Sequence, residues 1–234
     1  MKGGIDDIDV VIKTLEESGF SRDRFYIHCD AALFGIMLPF LKSAAKIISF
    51  KKAIGSVSVS GHKFLGCPIP CGVVITRLEY MNGSSSSRSN IEIIGSRDAT
   101  ITGSRSGYAP IFFWYAIKKR GSIVLQNEVE NCITNACYLH NRLCDAGIGA
   151  MLNEYSNIVV FERPPDDEFS RSWNLACQDN IAHIVVMQHV TIQMLDSFVT
   201  EFQFLKNYGS FKPLCFAEEV GAANCSCSMH NLLS

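Results

Sequence analysis

The stretch Ser56-Val57-Ser58-Val59-Ser60-Gly61-His62-Lys63 decides how this chain folds. Its polar–apolar alternation over 56–60 is the period-two signature of a half-buried strand. Gly61 then breaks the run. Lys63 stands in a turn between Gly61 and Gly66, residues that let the backbone bend sharply. An earlier β-rich run, Phe25-Tyr26-Ile27-His28-Cys29, also leads into a charged residue, Asp30, followed by Ala31 and Ala32. In open α/β sheets, ligands gather outside the carboxyl ends of strands. The pattern therefore places a strand-end carboxylate and a strand-end amine toward one crevice.

Working outward, residues 5–18 carry apolar side chains at 5, 8, 11, 12 and 15, with acids early, and read as a helix ended by Gly19. The apolar run 33–41 is broken by Pro39, and 71–77 reads as a further strand. Residues 82–90 form a low-complexity, serine-rich loop, and 100–104 read as a short strand. Pro110 opens an apolar helix running to Lys119, and Gly121 closes it. A long amphipathic helix covers 123–146 and stops at Gly147. A strand at 157–161, a helix at 166–178, a strand at 181–187 and a helix at 191–206 follow, and the tail from 213 is poorly patterned. This order predicts α/β or α+β layers with a domain boundary near 120–124.

Composition narrows the function classes. With 47% hydrophobic and 19% charged residues, the chain is neither disordered, collagenous nor a coiled coil. A net charge of −2 supplies no bulk field for holding a nucleic-acid backbone. The longest apolar run, Ile111 to Ile117, is far short of the roughly 20 residues of a membrane span. The ten cysteines are scattered, and no secretory leader opens the sequence, so reduced thiols in a cytoplasmic protein are expected. Cys67-x3-Cys71 and Cys225-x-Cys227 lack the paired spacing of a structural zinc site, and no metal is expected.

The Asp30–Lys63 pair has a chemical logic. A lysine amine condenses with an aldehyde cofactor as a Schiff base. A buried carboxylate holds a pyridinium nitrogen protonated and strengthens the ring as an electron sink. His62 and Ser60 offer donors for a phosphate. Each residue alone has a plainer reading, Asp30 as a cap or turn residue and Lys63 as a solvated charge. Their joint placement puts the functional reading on an equal footing with the plain one. His183, in an apolar strand, reads as a satisfied core histidine, and Lys118-Lys119-Arg120 as a helix C-terminus that complements the dipole.

The stretches His28-Cys29-Asp30-Ala31-Ala32-Leu33-Phe34-Gly35, Ser58 to Pro68 and Ser96 to Arg105 resemble the group II pyridoxal-phosphate-dependent amino-acid decarboxylases. Within that group the chain is most similar to the plant serine decarboxylases, a histidine-decarboxylase-like branch. The likeness continues through Asn153-Glu154 and Val160-Phe161-Glu162-Arg163-Pro164 to Asn180-Ile181-Ala182-His183. The resemblance implies a fold-type I, transferase-like α/β large domain, present in part over 1–122, and a small α/β C-terminal domain over 123–234. It implies pyridoxal 5'-phosphate carried by Lys63, with Asp30 on the ring nitrogen, Ala32 against the ring face and His62 and Ser60 at the phosphate. The implied reaction removes the α-carboxylate of an amino acid: serine, giving ethanolamine, or histidine.

The resemblance also implies a homodimer, or pairing with a full-length relative. The 234 residues correspond to the C-terminal half, about half the family's usual length. The alternative it leaves is a truncated, non-catalytic homologue that pairs with a full-length decarboxylase or binds cofactor weakly. Two departures stand out. The family's loop tyrosine falls near 92–96, where this chain reads Glu92-Ile93-Ile94-Gly95-Ser96, and Tyr108 stands where a histidine is expected.

Overall fold

The computed structural model describes residues 2–41, 44, 47–82, 89–91, 96–98, 105–208, 215–225 and 227. The loop expected at 82–90 falls largely outside them, as do the strand expected at 100–104 and positions 92–95. The chain divides into an N-terminal unit, Asp6–Leu125, and a C-terminal unit formed by Met1–Ile5 with Gln126–Ser234.

The N-terminal unit begins with helix α1 (Ile8–Glu17), capped by Asp7, whose Oδ1 accepts from the backbone N–H groups of Asp9 (2.9 Å) and Val10 (3.2 Å). That satisfies two donors the first turn cannot pair internally. Its buried face, Ile8 and Ile12, packs with Ala31, Ile54, Val57 and Val59 into one core. Strand β1 (His28–Asp30), helix α2 (Phe34–Met37), strand β2 (Ser56–Ser60), strand β3 (Gly72–Thr76) and helix α3 (Leu78–Asn82) follow. Pro39 turns the end of α2 into a 3-10 turn, Leu38–Phe40.

The sheet order is β1-β2-β3. β2 is the centre strand, parallel to β1 with Asp30 opposite Ser58, and antiparallel to β3 with Ser60 opposite Gly72. The alternation anticipated at 56–60 is what β2 uses: Val57 and Val59 face the core, and the serines share the other face with His28 and Asp30. Arg77 fastens the approach to β2, donating to the carbonyls of Ile54 (2.8 Å) and Lys52 (2.8 Å). A short hairpin, β4 (Ser89–Ile91) with β5 (Ser96–Asp98), follows.

Helix α4 (Tyr108–Asp145) joins the two helices expected from the sequence. Gly121 has left-handed φ (68°) and interrupts it where the sequence placed a stop. In the C-terminal unit, strands β6 (Ala150–Leu152), β7 (Ile158–Glu162), β8 (Ala176–Gln178) and β9 (Ile181–Val185) form an antiparallel sheet of order β6-β7-β9-β8. The later part of α4 supplies Ala136, Leu139 and Leu143, which pack with Val159, Phe161 and Ala182 of the sheet. Helix α6 (Ile192–Tyr208) adds Leu195, Phe198, Val199 and Phe202 to the same core.

The sequence did not anticipate α3, β6 or β4, whose start lies inside the loop read over 82–90, and the window 166–178 departs most from expectation. The helix read over 166–178 is a short α5 (Asp167–Ser172) followed by strand β8. Asp166 caps α5, but Asn174 takes a left-handed φ of 50° and ends it. Asp179, also at 50°, then turns the chain so that Cys177 pairs with Ala182. Local turn chemistry and strand pairing override the apolar spacing. A one-turn helix α7 (Ala217–Val220) and a 3-10 turn (Ala222–Asn224) follow near the end of the described residues. Among the described residues, no helix is long and apolar enough to cross a membrane.

Candidate active site

The carboxyl end of β1 and the turn after β2 hold the residues singled out from the sequence. Asp30, the last residue of β1, is exposed on the serine-bearing face of the sheet. Its Oδ1 accepts from the Ser58 hydroxyl (3.3 Å) and from the Ala32 N–H (3.3 Å). Ser58 Oγ also lies 3.2 Å from His28 Nε2, and Ser56 Oγ lies 2.7 Å from His28 Nδ1. A row of polar groups, His28, Ser56 and Ser58, thus orients one carboxylate. None of the three stood out in the sequence. The signal was the alternation itself, which puts the serines on one face, but their meeting with His28 depends on the parallel register.

Ala32 ties the two strand ends together. Its carbonyl accepts from the Ser60 N–H (2.9 Å), while the Ala31 N–H reaches the Ser58 carbonyl (3.0 Å). Ser60 is half-buried and ends β2. Beyond it the turn is pinned by backbone bonds: Gly61 N–H to the Cys71 carbonyl (2.7 Å), Cys67 N–H to the Gly61 carbonyl (3.0 Å) and Gly66 N–H to the Lys63 carbonyl (3.1 Å). Gly61 is the residue this turn requires. A Cβ there would sit 2.6 Å from Phe113 Cδ2 and 3.2 Å from Cys67 Sγ.

Phe64 and Leu65, each 1% exposed, anchor the turn, and His62 and Lys63 stand exposed beside them. Arg120 Nη1 donates to the Leu65 carbonyl (2.9 Å) and steadies the far side. The Cys71 N–H donates to His62 Nδ1 (3.1 Å). With Nδ1 occupied as an acceptor, a neutral His62 carries its proton on Nε2 and offers it as a donor. Burial pushes the Cys67 thiol up in pKa, with Cys71 beside it acting the same way, so this thiol is held as S–H. The structure thus sets Asp30, Ala32, Ser60, His62 and Lys63 on neighbouring strand ends of one unit, with Asp30 and Ser60 on one sheet face.

An amine, a carboxylate, a hydroxyl and an imidazole donor on such edges form a donor set that fits a small planar cofactor with an aldehyde, a basic ring nitrogen and a phosphate. The methyl-sized side chain of Ala32 leaves the backbone close to any ring lying there. A separate cleft of 510 Å³ in the C-terminal unit is lined by Trp173, His183, His189 and Phe198, and none of the five residues borders it.

Residues 2–162 match the pyridoxal-dependent decarboxylase conserved domain, and the chain belongs to that family, whose cofactor is pyridoxal phosphate. It is 60% identical to serine decarboxylase 1 of Oryza sativa subsp. japonica, over 98% of this chain and 48% of that protein. It is 52% identical to a histidine decarboxylase of Solanum lycopersicum, over 98% of this chain and 56% of that one. The chain therefore spans about half the length of these relatives. Among solved structures it resembles the L-methionine decarboxylase of Streptomyces sp. 590, with a TM-score of 0.76 and 24% identity over 87% of this chain and 51% of that chain. A Lactobacillus brevis glutamate decarboxylase superimposes with a TM-score of 0.69 and 21% identity, over 91% of this chain and 54% of that chain. The fold is that of the fold-type I pyridoxal-phosphate enzymes, present in part.

Proposed function

We propose that this chain carries the cofactor-holding part of a pyridoxal-phosphate-dependent carboxy-lyase acting on an amino acid, with serine as substrate, giving ethanolamine, and histidine as the second candidate. The observation that carries the reading is the pairing of strand ends: Asp30 closes β1 and Lys63 follows β2, its parallel neighbour, in a chain 60% identical to a serine decarboxylase. Bound there, pyridoxal phosphate supplies an electron sink for the pair left at Cα when the carboxylate departs as carbon dioxide.

The family resemblance gives each residue a part that its place in the fold supports. Lys63, on a turn whose backbone bonds fix its Cα, would hold the cofactor through its amine. Asp30 would keep the ring nitrogen protonated. Ser58 and the Ala32 N–H hold the Asp30 carboxylate in one orientation, and His28 holds Ser58. Ala32 would lie against the ring face, where a larger side chain would fill the space. Ser60 and the Nε2 proton of His62 would bind phosphate oxygens. The full enzyme would work as a homodimer in the cytoplasm, a setting that suits ten cysteines joined by no disulfide.

A second reading is favoured by one observation. Ile111, Trp114 and Tyr115, spaced along one face of α4, are each more than half exposed, an apolar patch that suits burial by another chain. On that reading the chain pairs with a full-length relative, or binds cofactor weakly, without turning substrate over.

Titrating the purified chain with pyridoxal phosphate tests the first step. The absorbance of lysine-bound cofactor is expected to appear and to be absent in Lys63→Ala. No band at saturating cofactor would sink the assignment of the site. Carbon dioxide release from serine, compared with histidine, then names the substrate, and a band without release favours the second reading.

A further inference from the structure

Three cysteines that the proposed reaction does not use converge in the C-terminal unit. The Sγ atoms of Cys215, Cys225 and Cys227 all lie within 4.8 Å of one another, and those of Cys225 and Cys227 are 3.3 Å apart. No disulfide joins them. Cys225 is 8% exposed, Cys227 is fully buried and Cys215 is half-buried. A buried cysteine ordinarily serves as a small hydrophobe, which requires no second sulfur nearby. Three sulfurs brought together from either side of α7 require another account.

The distances match a coordination shell. Zinc–sulfur bonds of about 2.3 Å in a tetrahedral array put neighbouring sulfurs about 3.8 Å apart. The Cys225–Cys227 spacing of 3.3 Å and the 4.8 Å limit on the whole set bracket that value, so movements of no more than about 1 Å close the shell. Sequence spacing does not reveal Cys215 as a neighbour, because α7 and the 3-10 turn at Ala222–Asn224 carry it back toward Cys225.

We propose that Cys215, Cys225 and Cys227 form a thiolate site for a thiophilic closed-shell cation, Zn(II) or Cu(I), that clasps the C-terminal segment onto the start of β6. Among the described residues the segment's only regular helix, α7, is a single turn, and its fixed points are buried side chains such as Phe216 and Val220. It is also seated tightly. A Cβ on Gly149, just before β6, would meet the Phe216 ring and come within 2.8 Å of Cys227 Cα. Such short segments gain most from a cross-link that exists only in the folded state. Each sulfur gives up its proton as its bond to the metal forms, so binding releases protons and tightens as pH rises.

The test uses the reduced, metal-stripped full chain under argon. Co(II) is expected to give a sulfur-to-cobalt charge-transfer band saturating at one equivalent and displaced by Zn(II). A Cu(I) arm measures retention against a Cu(I) chelator, and the two arms distinguish the ions. Cys215→Ser and Cys225→Ser are expected to lose the site, an effect at least as large as the roughly 10–100-fold that follows loss of even an outer-shell partner. Cys137→Ser, an exposed cysteine of α4, leaves it intact.

Alkylation mapping of the unmutated chain gives a readout that does not depend on how the variants fold. Bound metal is expected to shield Cys215, Cys225 and Cys227 while the exposed Cys137 and Cys144 stay reactive. Absence of both Co(II) and Cu(I) binding would overturn the proposal. So would a band that survives Cys215→Ser and Cys225→Ser, or metal that leaves the alkylation of the three sulfurs unchanged.

Discussion

Lys206→Met tests the electrostatics of the C-terminal core. Glu162, the last residue of β7, is 1% exposed. Its Oε1 accepts from the Gly149 N–H at 3.1 Å and from Lys206 Nζ at 2.6 Å, while Oε2 is buried without a partner. Lys206 also donates to the Gly147 carbonyl, so this one ammonium answers both a carboxylate and the end of α4. Methionine keeps most of the apolar stem and deletes the charge. Removing one partner of a buried pair costs about 3–5 kcal/mol, because the other charge stays buried and unpaired.

The Lys206 side chain is 15% exposed, which lets water reach the site and sets the expectation near the lower end, about 3 kcal/mol. With a slope of about 2 kcal/mol per molar, the urea midpoint falls by about 1.5 M. Trp173 reports it. Its ring packs edge-on against Phe198 at 5.3 Å, and a Trp114→Phe background makes it the sole tryptophan. Adding Glu162→Gln removes the stranded charge and keeps an acceptor for Gly149, so the double variant is expected to recover more than half of the loss. A single variant within about 0.5 kcal/mol of the parent would refute the reasoning, as would a double variant as unstable as the sum of the two singles.

Three further outcomes are expected. Ser58→Ala removes the hydroxyl between Asp30 and His28. A hydrogen bond to a charged group is worth about 1.5 kcal/mol, so cofactor affinity should fall roughly tenfold while the Lys63-dependent band still forms; an unchanged dissociation constant in a cofactor titration would remove Ser58 from its positioning role. Gly61→Ala drives a methyl into Phe113 and should cost about 1–3 kcal/mol in urea unfolding followed by circular dichroism; a neutral result would show that Phe113 yields freely. Burial lowers the His183 pKa below its ordinary 6.5. Its neutral form therefore supports the fold fully above pH 6.5, and that support is lost as pH falls through the depressed folded value, because the unfolded chain takes up the proton first. Unfolding midpoints at pH 7.5 and 5.5 should accordingly differ less in His183→Gln than in the parent.

Much of the architecture was legible because it rests on local rules. The alternation at 56–60 became β2, Gly19 followed α1, and Gly121 and Gly147 bracketed the long stretch of α4. What escaped was set by contacts between distant residues or by turn conformation. Asn174 and Asp179 split an apparently helical window, and β6 is only three residues long, too short to show a period. The same division holds at the candidate site. Asp30 and Lys63 were readable as strand ends, whereas the service of His28 and Ser58 to Asp30 exists only once β1 and β2 lie in register. Cys215 illustrates the limit again, since its approach to Cys225 depends on how the short α7 turns.

The parallel pairing of β1 with β2 has a consequence in time. β2 and β3 form a hairpin around the turn that bears Lys63, a local closure. The bond from Ser58 to Asp30 instead spans 28 residues, and parallel strands need a crossover between them. Loop-closure entropy has to be met before such a contact repays it, so the hairpin is expected to form first and β1 to dock later. Refolding followed with and without pyridoxal phosphate checks this ordering, with only the late phase expected to respond. A ligand that needs the amine from the early piece and the carboxylate from the late one favours the docked state by mass action. On the proposed site, added cofactor is expected to raise the fraction of the chain in its folded form.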